Sequence, residues 1–85
     1  MPANRVIVPE KVRKKIHKLP QFIQYRLPQA LLEIKNNPLV GTKLHGGLDT
    51  YHKLRIGDYR IVYSFDSKTS TIVVLKIEHR QGVYK

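Results

Sequence analysis

The 85 residues suffice for one two-layer core and little else, so residues 1–85 are expected to form one domain with its functional groups on the surface or in a shallow groove. Without cysteine, disulfide frameworks and thiolate metal sites are excluded, and a reducing cytosol is the expected setting. Sixteen Lys and Arg against six Asp and Glu give a formal charge of +10, a field that draws nucleic acid or an acidic protein rather than leaving the chain indifferent to polyanions.

The opening residues carry too short an apolar stretch for a signal peptide, and no run approaches the length that spans a bilayer. Arg5 to Val8 is β-rich and stops at Pro9, which predicts a first strand. From Glu10 to Leu19, Val12, Ile16 and Leu19 recur at helical spacing, and basic residues cover the remaining surface. Any single lysine there is an ordinary solvated residue. Taken together, Lys11, Lys14, Lys15 and Lys18 form a candidate RNA-binding track away from the chemistry.

Pro20 opens a second helical pattern that carries Phe22, Ile23, Leu27, Ala30, Leu31 and Ile34 through to Lys35. Pro28 lies inside it and predicts a kink or a break into two pieces, and Asn36-Asn37-Pro38 ends it. Gly41, Gly46 and Gly47 lack phosphate-loop spacing and read as a flexible loop between Leu39 and Thr50.

Three strands are predicted at 51–56, 59–66 and 71–78, joined by a Gly57-Asp58 hairpin and a turn from Asp66 to Ser70. The fold is therefore expected to be α+β: a small, antiparallel-rich, four-stranded sheet built as strand, two helices and three-strand meander, with the helices packed on one face. Strand alternation sets Lys53 and Arg55 opposite His52, Leu54 and Ile56, and Arg60 opposite Tyr59, Ile61, Tyr63 and Phe65. On the last strand it puts Ile72, Val74, Lys76, Glu78 and Arg80 on one side. One consistent register brings Lys53, Arg55, Arg60 and Arg80 onto the helix-free face.

The acids are dispersed, with Asp49, Asp58 and Asp66 in predicted turns, and the four histidines lack zinc spacing, so neither a metal nor another cofactor is expected. RNA can be cut without metal because its own 2′-hydroxyl is a nucleophile. The reaction needs a base for that hydroxyl, an acid for the leaving 5′-oxygen and fixed positive charge around the phosphate. Arg55, Arg60 and Arg80 suit the last role. Lys53 and His79 are both candidates for proton transfer. Tyr84, beyond the last strand, can stack on an unpaired base. His45 and His52 read as loop and core-flanking residues, and Tyr51, Tyr59 and Tyr63 as sheet-packing aromatics.

Three blocks carry a family resemblance: Lys43-Leu-His-Gly46, Lys53-Leu-Arg-Ile-Gly-Asp-Tyr-Arg-Ile-Val-Tyr63, and His79-Arg-Gln-Gly-Val-Tyr84. Through them the chain resembles the RelE/ParE superfamily of toxins from type II toxin–antitoxin pairs, in its RelE-like mRNA interferase branch. The resemblance implies a ribosome-dependent, metal-independent endoribonuclease that cuts mRNA in the A site, leaving a 2′,3′-cyclic phosphate and a 5′-hydroxyl. It implies that Lys53 and Arg55 match the basic pair on the family's second strand, that Arg60 and Arg80 stabilise the phosphate, that His79 matches a proton-transferring histidine, and that Tyr84 orients the nucleotide. The partners it implies are an acidic cognate antitoxin, the ribosome with its rRNA, and mRNA. DNA would be reached only through the antitoxin, and no membrane is involved. The other branch of the superfamily implies an alternative, a ParE-like DNA gyrase inhibitor acting by protein contact. A noncatalytic RNA-binding module is a third reading.

Overall fold

The computed structural model describes residues 2–43 and 51–79. Pro9 and Pro20 each stand immediately before a helix, where a missing N–H and a preset φ cost nothing. Helix α1 (Glu10–Ile16) follows strand β1 (Arg5–Ile7), and α2 (Gln21–Asn36) follows α1. The side-chain amide of Gln24 donates to the carbonyl oxygens of His17 and Leu19, so α2 satisfies carbonyls at the end of its neighbour. Pro28 does not divide α2, which is assigned as one 16-residue helix. Proline removes one backbone hydrogen bond, but Ile23, Leu27, Ala30 and Ile34 are buried along a stripe that continues across it. Packing of that stripe outweighs the local penalty.

Strands β2 (Thr42–Lys43), β3 (Tyr51–Ile56), β4 (Tyr59–Asp66) and β5 (Thr71–His79) complete a five-stranded sheet in the order β1-β5-β4-β3-β2. The expected meander of β3, β4 and β5 is antiparallel throughout, and β1 joins it parallel to β5, pairing Arg5 with Thr71 and Ile7 with Val73. The sheet has five strands rather than the four expected. The fifth is the two-residue β2, whose Thr42 pairs with Lys53, and so short a strand leaves no alternation to detect.

Both helices lie over one face. Val12, Ile23, Leu27 and Ile34 share a core with Ile56, Ile61, Tyr63, Ile72, Val74 and Ile77. Among the described residues no helix covers the opposite face, and no helix is long and apolar enough to cross a membrane. Backbone hydrogen bonds from Ala3 to the carbonyl of Lys35 (2.7 Å) and from Asn4 to that of Ser70 (2.8 Å) fasten the start of β1 to the end of α2 and to the β4–β5 turn.

Gly41 is held for a steric reason rather than for flexibility. A Cβ there would stand 2.8 Å from the Lys53 carbonyl oxygen and 2.8 Å from the Tyr63 hydroxyl. That hydroxyl donates to the carbonyl of Pro38 (2.8 Å) and accepts from the Gly41 amide (3.0 Å), tying the segment before β2 to the middle of the sheet. Gly46 and Gly47 lie outside the described residues.

Candidate active site

The ladder between β3 and β4 is regular, so cross-strand partners share a face: His52 with Tyr63, Leu54 with Ile61, and Ile56 with Tyr59 on the helix side. Tyr51 with Ser64, Lys53 with Val62, and Arg55 with Arg60 then fall on the other side. The ladder between β4 and β5 is not regular. Val62 pairs with Lys76 and Tyr63 with Val74, so Leu75 has no partner opposite and forms a bulge.

The bulge corrects the expected face of half of β5. Ile72 and Val74 point to the core, but Lys76 and Glu78 do not share their side: one extra residue turns the rest of the strand over. Ile77 enters the core instead, beside Ile61. The helix-free face therefore carries two rows across β3, β4 and β5: Lys53–Val62–Lys76 and Arg55–Arg60–Glu78.

These rows meet the β3–β4 hairpin at a concave site of about 260 Å³ lined by Thr42, Lys53, Arg55, Gly57, Asp58, Tyr59 and Arg60. The hairpin is tight because Gly57, at φ +57°, takes the first central position where this class of two-residue turn places glycine. Three of the predicted residues, Lys53, Arg55 and Arg60, thus border one cavity. Sequence reading assigned Gly57 and Asp58 to a turn without seeing that the turn forms a wall of the site. Thr42 escaped notice with β2.

Two arginines directly opposite each other in a sheet repel, and this one compensates both. Arg55 Nε donates to the carbonyl of Gly57 at 2.9 Å, anchoring the guanidinium to the hairpin. Arg60 Nε lies 3.1 Å from Glu78 Oε2, and the other oxygen of the same carboxylate is 3.0 Å from Lys76 Nζ. Arg60 and Glu78 are largely covered, with 22% and 24% of their side chains exposed, so this ion pair is screened less than a surface one. Neither Glu78 nor Lys76 was singled out as a site residue, because only the bulge turns them toward the cations.

His79 is placed elsewhere. It pairs with Tyr59 in the core-facing row and meets that ring edge-on, with centroids 4.9 Å apart, so the sheet separates it from the side that carries Lys53 and Arg55. Arg80 and Tyr84 lie outside the described residues. Lys11, Lys14, Lys15 and Lys18 are all exposed on or just beyond α1, on the helix side of the sheet, and Lys14 approaches Glu10 at 3.8 Å. Among the described residues no group of three or more acids and histidines is arranged to hold a metal ion.

Behind the site, Tyr63 stacks on His52 with centroids 5.5 Å apart. Burial pushes its phenol above the ordinary value; the Gly41 amide opposes that shift, and the charge of Glu33 adds to it.

Comparison with known proteins agrees with this architecture. The family described as the ParE toxin of the type II toxin–antitoxin system, parDE, matches residues 6–84. The chain is 33% identical over 75 residues to Toxin RelG of Mycobacterium tuberculosis, covering 86% of each chain. In structure it is similar to a chain of the toxin–antitoxin complex RelBE2 from the same organism, with a TM-score of 0.80 and 32% identity over 94% of this chain and 100% of that one. A chain of the archaeal RelE–RelB complex from Pyrococcus horikoshii gives a TM-score of 0.75 and 28% identity, over 94% and 97% of the two chains. A family match that spans the sheet, both helices and the cationic hairpin leads to one conclusion: the chain belongs to the ParE toxin family of type II toxin–antitoxin systems, within the RelE/ParE superfamily.

Proposed function

We propose that this toxin is a ribosome-dependent endoribonuclease that cleaves mRNA in the A site. The observation that supports this reading best is the convergence of Lys53, Arg55 and Arg60 on one cavity of about 260 Å³. In the reaction, Lys53 takes the proton of the 2′-hydroxyl and O2′ attacks the adjacent phosphorus. The bond to O5′ breaks, leaving a 2′,3′-cyclic phosphate, and the departing oxygen takes a proton from water to become a 5′-hydroxyl. Arg55 and Arg60 neutralise the charge that gathers on the phosphate as the fifth bond forms.

The position of His79 across the sheet favours Lys53 over His79 as the base. Arg80 as a further phosphate ligand and Tyr84 as a stacking platform complete the assignment by resemblance. The exposed lysines of the α1 region, Lys11, Lys14, Lys15 and Lys18, would hold ribosomal RNA by phosphate contacts. An acidic antitoxin is the natural neutraliser of a +10 toxin. Relatives of this chain are found in complexes with antitoxins, RelBE2 and archaeal RelE–RelB among them.

Mapping mRNA 5′ ends in a purified translation system tests the proposal. The wild type should yield 5′-hydroxyl ends within the A-site codon only when ribosomes are present. Arg60→Ala should slow cleavage by about 100- to 1,000-fold, the range for removing a charge-stabilising donor. The match to a ParE family favours one other reading, inhibition of DNA gyrase by protein contact. Potent inhibition of supercoiling with no cleaved message would establish that reading in place of the first.

A further inference from the structure

Glu78 brings a carboxylate to the row that carries Arg55 and Arg60, and a bulge in the strand puts it there. Simple alternation from Val74 would carry residues 76 and 78 to the helix side, as it does residue 72. The extra residue Leu75 turns the strand over, so that Glu78 falls opposite Arg60 and Lys76 opposite Val62. The carboxylate then bridges two cations, one oxygen 3.1 Å from Arg60 Nε and the other 3.0 Å from Lys76 Nζ.

The contact is made at the Nε edge of Arg60. Arg55 is held at the same atom by the carbonyl of Gly57, 2.9 Å away. The Arg55 guanidinium is thus fixed by a hydrogen-bond acceptor behind it, and that of Arg60 by a close ion pair rather than a hydrogen bond at Nε. A planar group held along one edge loses rotation that would blur its alignment with a phosphate. We infer that Glu78 is a positioning residue: it clamps the Arg60 guanidinium in the orientation that meets the reacting phosphate, with Lys76 as its counter-ion. The inference rests on the proposed nuclease reading for its catalytic consequence, though not for the clamp itself.

The clamp makes an unusual demand on kinetics. Removing a negative charge from a cationic face should by electrostatics alone tighten RNA binding. Loss of alignment should slow the chemical step. Glu78→Gln, which keeps the shape and removes the charge, should therefore lower the maximal cleavage rate at least tenfold while the half-saturating ribosome concentration stays level or falls. Glu78→Asp should recover part of the rate. Added to Arg60→Ala, Glu78→Gln should change the rate less than twofold, because there is nothing left to position.

Glu78→Gln cleaving as fast as the wild type, or adding its full factor to Arg60→Ala, overturns the inference. The Arg60 Nε–H resonance of ¹⁵N-labelled toxin supplies a readout independent of activity, and it should shift in Glu78→Gln. A wild type that cuts nothing while this resonance still shifts would overturn the nuclease reading and keep the clamp; an unshifted resonance overturns the clamp whatever the activity.

Discussion

Strand β4 has two neighbours, and it treats them differently. Toward β3 every residue from Tyr59 to Ser64 has a partner in unbroken register, whereas toward β5 the register slips by one residue at Leu75. The regular side does what alternation says: His52, Leu54 and Ile56 face the helices and Lys53 and Arg55 do not. On the bulged side the same rule, applied past Val74, assigns Lys76, Ile77 and Glu78 to the wrong faces. A single unpaired residue is enough to move a carboxylate from the core side to the site and an isoleucine the other way.

The largest effect should come from breaking that difference directly. Ile77 is buried at 9% exposure beside Ile61, so Ile77→Lys should destabilise the fold by about 3–5 kcal/mol, through an unpaired charge under the helices and lost apolar burial. Lys76→Leu should melt within a few degrees of the wild type. Thermal unfolding followed by circular dichroism distinguishes the two, and the opposite ranking would mean that β5 keeps simple alternation.

Gly41→Ala probes the outer margin of the regular side. The added methyl group would sit 2.8 Å from the backbone oxygen of Lys53, which cannot swing away as a flexible side chain would. A loss of about 1–3 kcal/mol in urea unfolding is expected, with reduced amide protection along β2 and β3.

Tyr63 belongs to both ladders, pairing with His52 on one side and Val74 on the other. Tyr63→Phe leaves the Gly41 amide and the Pro38 carbonyl without their partner, at a cost of about 1–2 kcal/mol. Its pH dependence gives a finer signature. The folded chain holds the phenolic proton more tightly than the unfolded chain, for which the ordinary value is 10.0. This contribution is therefore whole below pH 10 and declines as pH rises through the elevated folded value. The alkaline decline should be shallower in Tyr63→Phe, and equal slopes in the two proteins would contradict a buried neutral phenol.

What was legible in the residues follows the same division. The three long strands, the Gly57-Asp58 hairpin, and the sharing of a face by Lys53, Arg55 and Arg60 could be read because alternation and turn chemistry are local signals. The continuity of α2 through Pro28 could not, since it depends on what Leu27, Ala30 and Ile34 pack against. Nor could the parallel pairing of β1, the existence of β2 or the ion pair between Arg60 and Glu78, each of which is decided by a partner distant in sequence. His79 was legible only as a residue type able to transfer a proton; the bulge and the pleat together set it against Tyr59.

The pairing of β1 with β5 also bears on how the toxin is made. Asn4 and Ser70, joined by a hydrogen bond at the start of that pairing, are 66 positions apart, so the sheet is closed by a contact spanning most of the polypeptide. Such distant contacts are the last to be rewarded during folding. At a synthesis rate of about 5–20 residues per second, the first strand waits several seconds for its partner to be translated. An aborted product ending before Thr71 would lack both the mate of β1 and the carboxylate that holds Arg60. Translation interrupted before Thr71 therefore releases fragments in which the sheet cannot close between its first and last strands.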